Sequence, residues 1–222
     1  EKRFKKLESF CLDLKSEKVQ SYLMFRYQIL IEYLGTNFVG WQSQNNGNSI
    51  QKTIQSTLYK ILKKKIKIHG AGRTDAGVHS LEQSAHFDFD RVILNIPKLI
   101  KSLNFFLNKK QISILKIKKK SKYFHARYSA KKRTYIYLIR NNIAQSVINN
   151  NREWHVIKKL DLNLIKKGAK KFIGTHDFST FRASNCNSKS PIKTIYNIVV
   201  KKKNNLISIK FVSKSFLKSQ IR

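Results

Sequence analysis

Residues 25–33, FRYQILIEY, alternate strictly, placing Tyr27, Ile29, Ile31 and Tyr33 on one face of an extended chain. That period predicts a strand with one side buried. The next stretch, GTNFVGWQSQNNGN, is a loop by its Gly and Asn content. In SIQKTIQSTLYKILKKK the period becomes helical: Ile50, Ile54, Leu58, Ile61 and Leu62 share a face, and Ser49 stands where an N-cap is needed. KIKIH and QSAHFDF read as short strands on either side of residues 70–80. NIPKLIKSLNFFL predicts a second helix, with Pro97 near its start, and ISILKI a strand.

The second half has a similar rhythm. RTYIYLIR alternates Tyr135, Tyr137 and Ile139. LDLNLIKKGAKKFIG predicts an amphipathic helix with Leu162, Ile165, Ala169 and Phe172 inward, stopped by Gly174. TIYNIVVK and LISIKFV read as a strand pair turning at Asn204-Asn205, and KSFLKSQIR opens a further helix. Two βαββ-like halves result, and with them an α+β fold of mainly antiparallel sheet with helices packed on one side. The halves are read as 24–118 and 119–222. Residues 1–23 mix both charge signs without a sustained apolar segment, and Met24 is the only methionine. They read as an N-terminal extension preceding the start of the functional protein.

Composition narrows the class. The 222 residues are 41% apolar with two prolines, enough for a buried core. No apolar run approaches the roughly 18–20 residues that cross a bilayer. Cys11 and Cys186 lie far apart without metal-ligand spacing, which reads as two free thiols in a reducing compartment, the cytoplasm. Against 12 Asp and Glu stand 46 Lys and Arg, a formal net charge of +34. A field that large suits a polyanionic partner. A coding bias toward Lys, Asn and Ile is the other possible origin of the charge, and neither origin speaks to chemistry.

Chemistry enters with GAGRTDAGVHS, residues 70–80. Gly70, Gly72 and Gly77, with Ala71 and Ala76, let a ligand approach the backbone closely. Among them stand Asp75 and Arg73, the latter a planar cation able to grip phosphate or stack on a base. A turn aspartate bonded to its own backbone is the plain alternative. A phosphate-cradling loop would want a Lys-Ser/Thr pair opening a helix, and none is there.

GAGRTDAGVHS resembles the signature of the TruA family of tRNA pseudouridine synthases. IEYLGTNFVGWQSQ is similar to the family's opening strand and Gly-Trp-Gln loop, and YFHARYSAKKRTYIY to its Phe-His-Ala-Arg segment and tyrosine strand. HDFSTFRASNCNSKSPIKTI and SFLKSQIR resemble its later blocks in order and spacing, so the likeness runs from about Phe25 to Arg222. Three departures stand out. NFFLNKK lacks the proline of the family's Asn-x-x-Leu-Pro stretch, and Lys218 and Ser219 occupy places where histidines are frequent. The family's C-terminal helix and final strands are absent, so the chain reads as truncated.

The resemblance implies two RRM/ferredoxin-like halves around a central basic cleft, a homodimer, and no metal or organic cofactor. It implies isomerisation of uridine to pseudouridine at positions 38–40 of the tRNA anticodon stem-loop. Asp75 would be the nucleophilic carboxylate, attacking sugar or base, with Arg222 as its ion-pair partner. Tyr135 would stack on the target base and help move the proton from carbon five, and Arg73 would fill the space left by the flipped uridine. Detaching and re-adding a base needs one carboxylate rather than the flanking pair of glycoside hydrolysis, shielded from water and kept ionised by a cation. Arg127, Lys131, Lys132, Arg133 and Arg182 are candidate phosphate contacts, with solvated surface as the alternative. His79 and His125 read as structural hydrogen-bonding residues, Trp41 and Gln42 as supports of the active-site loop (Trp41 also fits a core position), and Tyr137 as an ordinary strand tyrosine. A competing reading is a catalytically silent RNA-binding or RNA-folding protein, which would need neither Asp75 nor Tyr135.

Overall fold

The computed structural model describes residues 24–44, 47–184, 186 and 188–221; the expected N-terminal extension, Cys11 and Arg222 lie outside the described residues. The chain forms two compact units, one ending at Ser129 and the other beginning at Ala130. Residues 121–129 fold back onto the first unit. Arg26 Nη1 donates to the carbonyls of Lys122 and Phe124 at 2.7 Å each, and the Ala126 N–H donates to Nδ1 of His86 at 3.1 Å.

In the first unit, β1 (Phe25–Tyr33), α1 (Ile50–Leu62), β2 (Ile68–Gly70), β3 (Ser80–Phe89), α2 (Ile96–Leu107) and β4 (Ile112–Lys120) succeed one another along the chain. The antiparallel sheet runs β2-β3-β1-β4, the split βαβ arrangement in which β3 lies between the two strands that α1 connects. The alternation of β1 buries as expected. Tyr27, Ile29, Ile31 and Tyr33 join Phe87, Ile112 and Ile114 from the sheet, Ile54 and Leu58 from α1, and Leu103 and Leu107 from α2 in one core. Both helices therefore cover the same face. Ser49 caps α1 by accepting from the Lys52 N–H at 3.2 Å, and Asn95 caps α2 by accepting from Lys98 at 2.9 Å, with Pro97 in the first turn.

The face away from the helices is polar. It carries Arg26 and Gln28 of β1, Ser84, His86 and Asp88 of β3, and the row Lys116, Lys118, Lys120 of β4, in register across the sheet. Lys116, and more weakly Lys120, hold the Lys118 ammonium below its ordinary pKa by like-charge repulsion.

The second unit contains β5 (Arg133–Asn141), β6 (Trp154–Val156), α3 (Leu162–Lys170), β7 (Gly174–Asp177), β8 (Ile192–Lys203) and β9 (Leu206–Ser213). Its sheet order is β6-β5-β9-β8-β7, antiparallel except for β5 with β6. The path β5-α3-β8-β9 repeats β1-α1-β2-β3, with the last strand again inserted between the other two. The βαββ rhythm and the mainly antiparallel α+β class are thus present. A smaller core of Phe178, Ile195, Ile198 and Leu217 holds this unit.

Two expectations differ. α3 stops at Lys170, and Phe172 is 39% exposed rather than turned inward with the half-buried Leu162, Ile165 and Ala169. The N–H groups of Lys171, Phe172 and Ile173 bond three residues back, to Gly168, Ala169 and Lys170, which tightens the helix end and swings Phe172 toward Phe178 and Phe181. KSFLKSQIR forms a turn over residues 218–221 instead of opening a helix. Ser219 sits at φ 65, which interrupts a right-handed run, and Gln220 Oε1 captures the Leu217 N–H at 2.8 Å.

Candidate active site

Two loops of the first unit, after β1 (34–44 and 47–49 among the described residues) and 71–79 between β2 and β3, are fastened to each other around Asp75. The Trp41 N–H donates to the Thr74 carbonyl at 3.0 Å, the Gly77 N–H to the Phe38 carbonyl at 3.4 Å, and the Gly35 N–H to Nδ1 of His79 at 2.9 Å. Tyr33 Oη lies 2.8 Å from Thr74 Oγ1, directly before the acid. Asp75 opens a tight turn, its carbonyl accepting from the Val78 N–H at 3.2 Å, and Gly77 at φ +76 supplies the left-handed position. The loops approach so closely that a Cβ on Gly35 would lie 2.1 Å from the Val78 carbonyl oxygen. On the strand side, the Ala71 N–H reaches the Ser84 carbonyl and Gln83 Nε2 the Gly72 carbonyl, both at 2.7 Å.

A bulge sits beside this loop. Ile31 pairs with Gln83 and Tyr33 with Ser80, so β3 carries one residue more than β1 between these pairs. Such bulges re-aim the chain next to functional sites. Asp75 is half-buried and Arg73 exposed. Trp41, 2% exposed with its indole against Gly70, satisfies both of its expected roles at once: it belongs to the core and fixes the loop. Gln42 is exposed. His79 is the structural acceptor expected of it.

Arg127 lies elsewhere in the same unit, exposed on the 121–129 segment with its guanidinium 5.8 Å from the Tyr128 ring centre. That segment covers a pile of histidines. His69 stacks on His86 at 5.0 Å, and His125 meets His86 edge-on at 4.5 Å. Burial first, then the Arg26 charge, pushes His86 down to about 4. Burial also lowers His69, with Lys67 adding to it, and His125, with Arg26 adding to it. Arg26 forms a two-bond pair with Asp88 at 2.7 Å and holds that carboxyl below its usual range by hydrogen bonding. Sequence reasoning passed over His69 and His86, whose only signal was a polar residue at alternating positions of otherwise apolar strands.

In the second unit Tyr135 is half-buried on β5, paired with Phe211 and edge-on to Phe216 at 5.2 Å. Tyr137 meets Trp154 edge-on at 6.4 Å. The Arg133 guanidinium donates to the Lys214 carbonyl. Arg182 Nη2 donates to the carbonyls of Cys186 and Ser188 at 2.8 Å each, shaping its own loop, while Lys131 and Lys132 are exposed. Cys186 is a free thiol. Among the described residues, no group of three or more His, Cys, Asp or Glu is disposed to hold a metal ion, and no helix is long and apolar enough to cross a membrane.

An α+β chain of net charge +34 with an acid set in a closely fastened glycine-rich turn suits an enzyme that modifies RNA. Residues 29–129 and 169–222 match the family model described as tRNA pseudouridine synthase, and the chain belongs to that family. It is similar to tRNA pseudouridine synthase A of Pelagibacter ubique (strain HTCC1062), 59% identical over 199 residues covering 90% of this chain and 81% of the relative. It is likewise similar to proteins of that name from Ehrlichia canis (strain Jake) and Ehrlichia ruminantium (strain Gardel), each 42% identical over 202 residues, 89% of this chain and 80% of the relative. Membership makes the chain an isomerase of uridine to pseudouridine in tRNA, and the reading as a silent RNA binder is not favoured.

Proposed function

We propose that this chain isomerises uridine to pseudouridine at positions 38–40 of the tRNA anticodon stem-loop, as a cytoplasmic homodimer, with Asp75 as the reacting carboxylate. The Asp75 turn is the observation that supports this most: a half-buried acid, fastened from both flanks, in a chain with only 12 acidic residues. The reaction breaks the N-glycosidic bond, turns the base and rejoins ribose to its carbon five. A carboxylate that bonds covalently to the sugar or the base, and later leaves, holds the pieces together with no atom gained or lost. It must stand about 3–3.5 Å from its target and away from water, which would divert the intermediate to hydrolysis. A fixed turn meets the first demand better than a mobile one.

The target base has to leave the helical stack to react. Arg73, exposed two residues before Asp75, takes its place in the RNA. By the family resemblance Tyr135 stacks on the flipped base and helps move the proton from carbon five, Arg222 (outside the described residues) is assigned as the ion-pair partner of Asp75, and Arg127 and Arg182 are assigned to phosphates. Asp75→Asn keeps the shape and removes the charge. It is expected to abolish conversion of an anticodon stem-loop while affinity stays within about tenfold, or roughly 1.4 kcal/mol. Turnover near that of the parent protein would sink the assignment.

A further inference from the structure

We infer that Tyr33 and Thr74 form a positioning pair that holds Asp75 in its reactive place. The inference rests on the reading of Asp75 as the reacting carboxylate and extends it to two residues that lie within the family-like stretches but to which the resemblance gave no role. Tyr33 is the last residue of β1, 2% exposed, with its ring in the core and 6.2 Å from that of Trp41. Its hydroxyl is the polar end of an otherwise apolar insertion, and it meets Thr74 Oγ1 at 2.8 Å. A core strand thereby reaches directly to the residue bonded to Asp75.

Thr74 is gripped twice. Its side chain meets Tyr33, and its carbonyl accepts from the Trp41 N–H at 3.0 Å. Two anchors on one residue, on different atoms, fix the peptide plane that leads into Asp75 and hence the starting direction of its side chain. The turn downstream is closed by the Asp75 carbonyl and the Val78 N–H, so Asp75 lies between a fixed entry and a fixed exit. The backbone bond from Trp41 survives any side-chain change. The Tyr33–Thr74 bond can be removed from either end without altering shape, since Phe replaces Tyr and Val replaces Thr at nearly constant volume. A positional error of even an ångström at a reacting group slows chemistry by large factors.

The experiment is single-turnover conversion of an anticodon stem-loop by saturating full-length chain, reading rate constant and amplitude separately. With folded chain still in saturating excess, a fraction of unfolded molecules leaves both rate constant and amplitude unchanged; a misplaced carboxylate lowers the rate constant. Tyr33→Phe and Thr74→Val are each expected to slow the rate constant about tenfold, with RNA affinity unchanged within about twofold. Thr74→Ser, which restores the hydroxyl, is expected to recover most of the loss. The double variant Tyr33→Phe/Thr74→Val should be no slower than either single one, because both remove the same bond. Unchanged rate constants, losses confined to amplitude, or a double variant about a hundredfold slow would each overturn the pairing. Asp75→Asn, measured in parallel, separates the two ideas. An inert Asp75→Asn beside unimpaired Tyr33 and Thr74 variants defeats only the positioning pair, whereas an active Asp75→Asn overturns both.

Discussion

Among single residues, the glycines around Asp75 separate steric from conformational demands. Gly35→Ala would drive a Cβ to 2.1 Å from a backbone oxygen that cannot rotate away. The turn must move, at a cost of about 1–3 kcal/mol in stability and with it the aim of Asp75. Conversion is expected to fall at least about tenfold and the melting temperature to drop, as checked by calorimetry on the variant. Gly77→Ala meets open space and is strained only by its φ of +76. It should cost about 1–2 kcal/mol in denaturant unfolding, without the steric term. The tight turn around Asp75 was legible in the sequence because small residues crowd around it in a recognisable order. The Tyr33–Thr74 contact was not, since a buried strand tyrosine is spelled the same way whether its hydroxyl bonds water or a neighbouring turn.

At the level of elements, long periodic segments announced themselves, while β6 and β7 did not. The alternation of β1 buries all four residues it marked, α1 buries Ile50, Ile54 and Leu58 with Ile61 and Leu62 partly buried against the core, and both helices carry caps at their first turns. β6 and β7, three and four residues long, carry too few turns of any period to be read, and they exist through pairing with β5 and β8. α3 has no buried residue, and a Cβ on Gly168 would meet nothing within 4 Å. Gly168→Ala should therefore stabilise the chain by about 0.5–1 kcal/mol, visible as a raised melting temperature. The histidine pile is expected to weaken the first unit in acid. The folded pKa of His86, about 4, lies below the usual value near 6.5, so the unfolded chain takes up the proton first. Stability present above about pH 6.5 is lost as pH falls toward 4, with His69 and His125 acting in the same direction and Asp88 adding its loss below them. His86→Asn retains an acceptor for the Ala126 N–H and removes the titration. Its melting temperature is expected to vary less between pH 6.5 and 4 than that of the parent protein.

For the molecule as a whole, charge governs encounter with RNA and geometry governs the chemistry after it. With a formal net charge of +34, binding of an anticodon stem-loop is expected to weaken about a hundredfold or more between 50 and 200 mM salt. Asp75→Asn should leave that slope unchanged, because a carboxylate neutralises no phosphate; filter binding across a salt series checks both. The β3 bulge carries a different consequence, for refolding. Since β3 begins where the Asp75 loop ends, the step at which β3 finds its partner on β1 also decides where that loop lands. A slip of two residues would keep inward side chains inward, yet carry the start of β3 about 7 Å along the sheet and draw Thr74 away from Tyr33. Such molecules would be compact, soluble and inert, so specific activity recovered after denaturation counts correctly registered chains, which a spectroscopic signal of compactness does not.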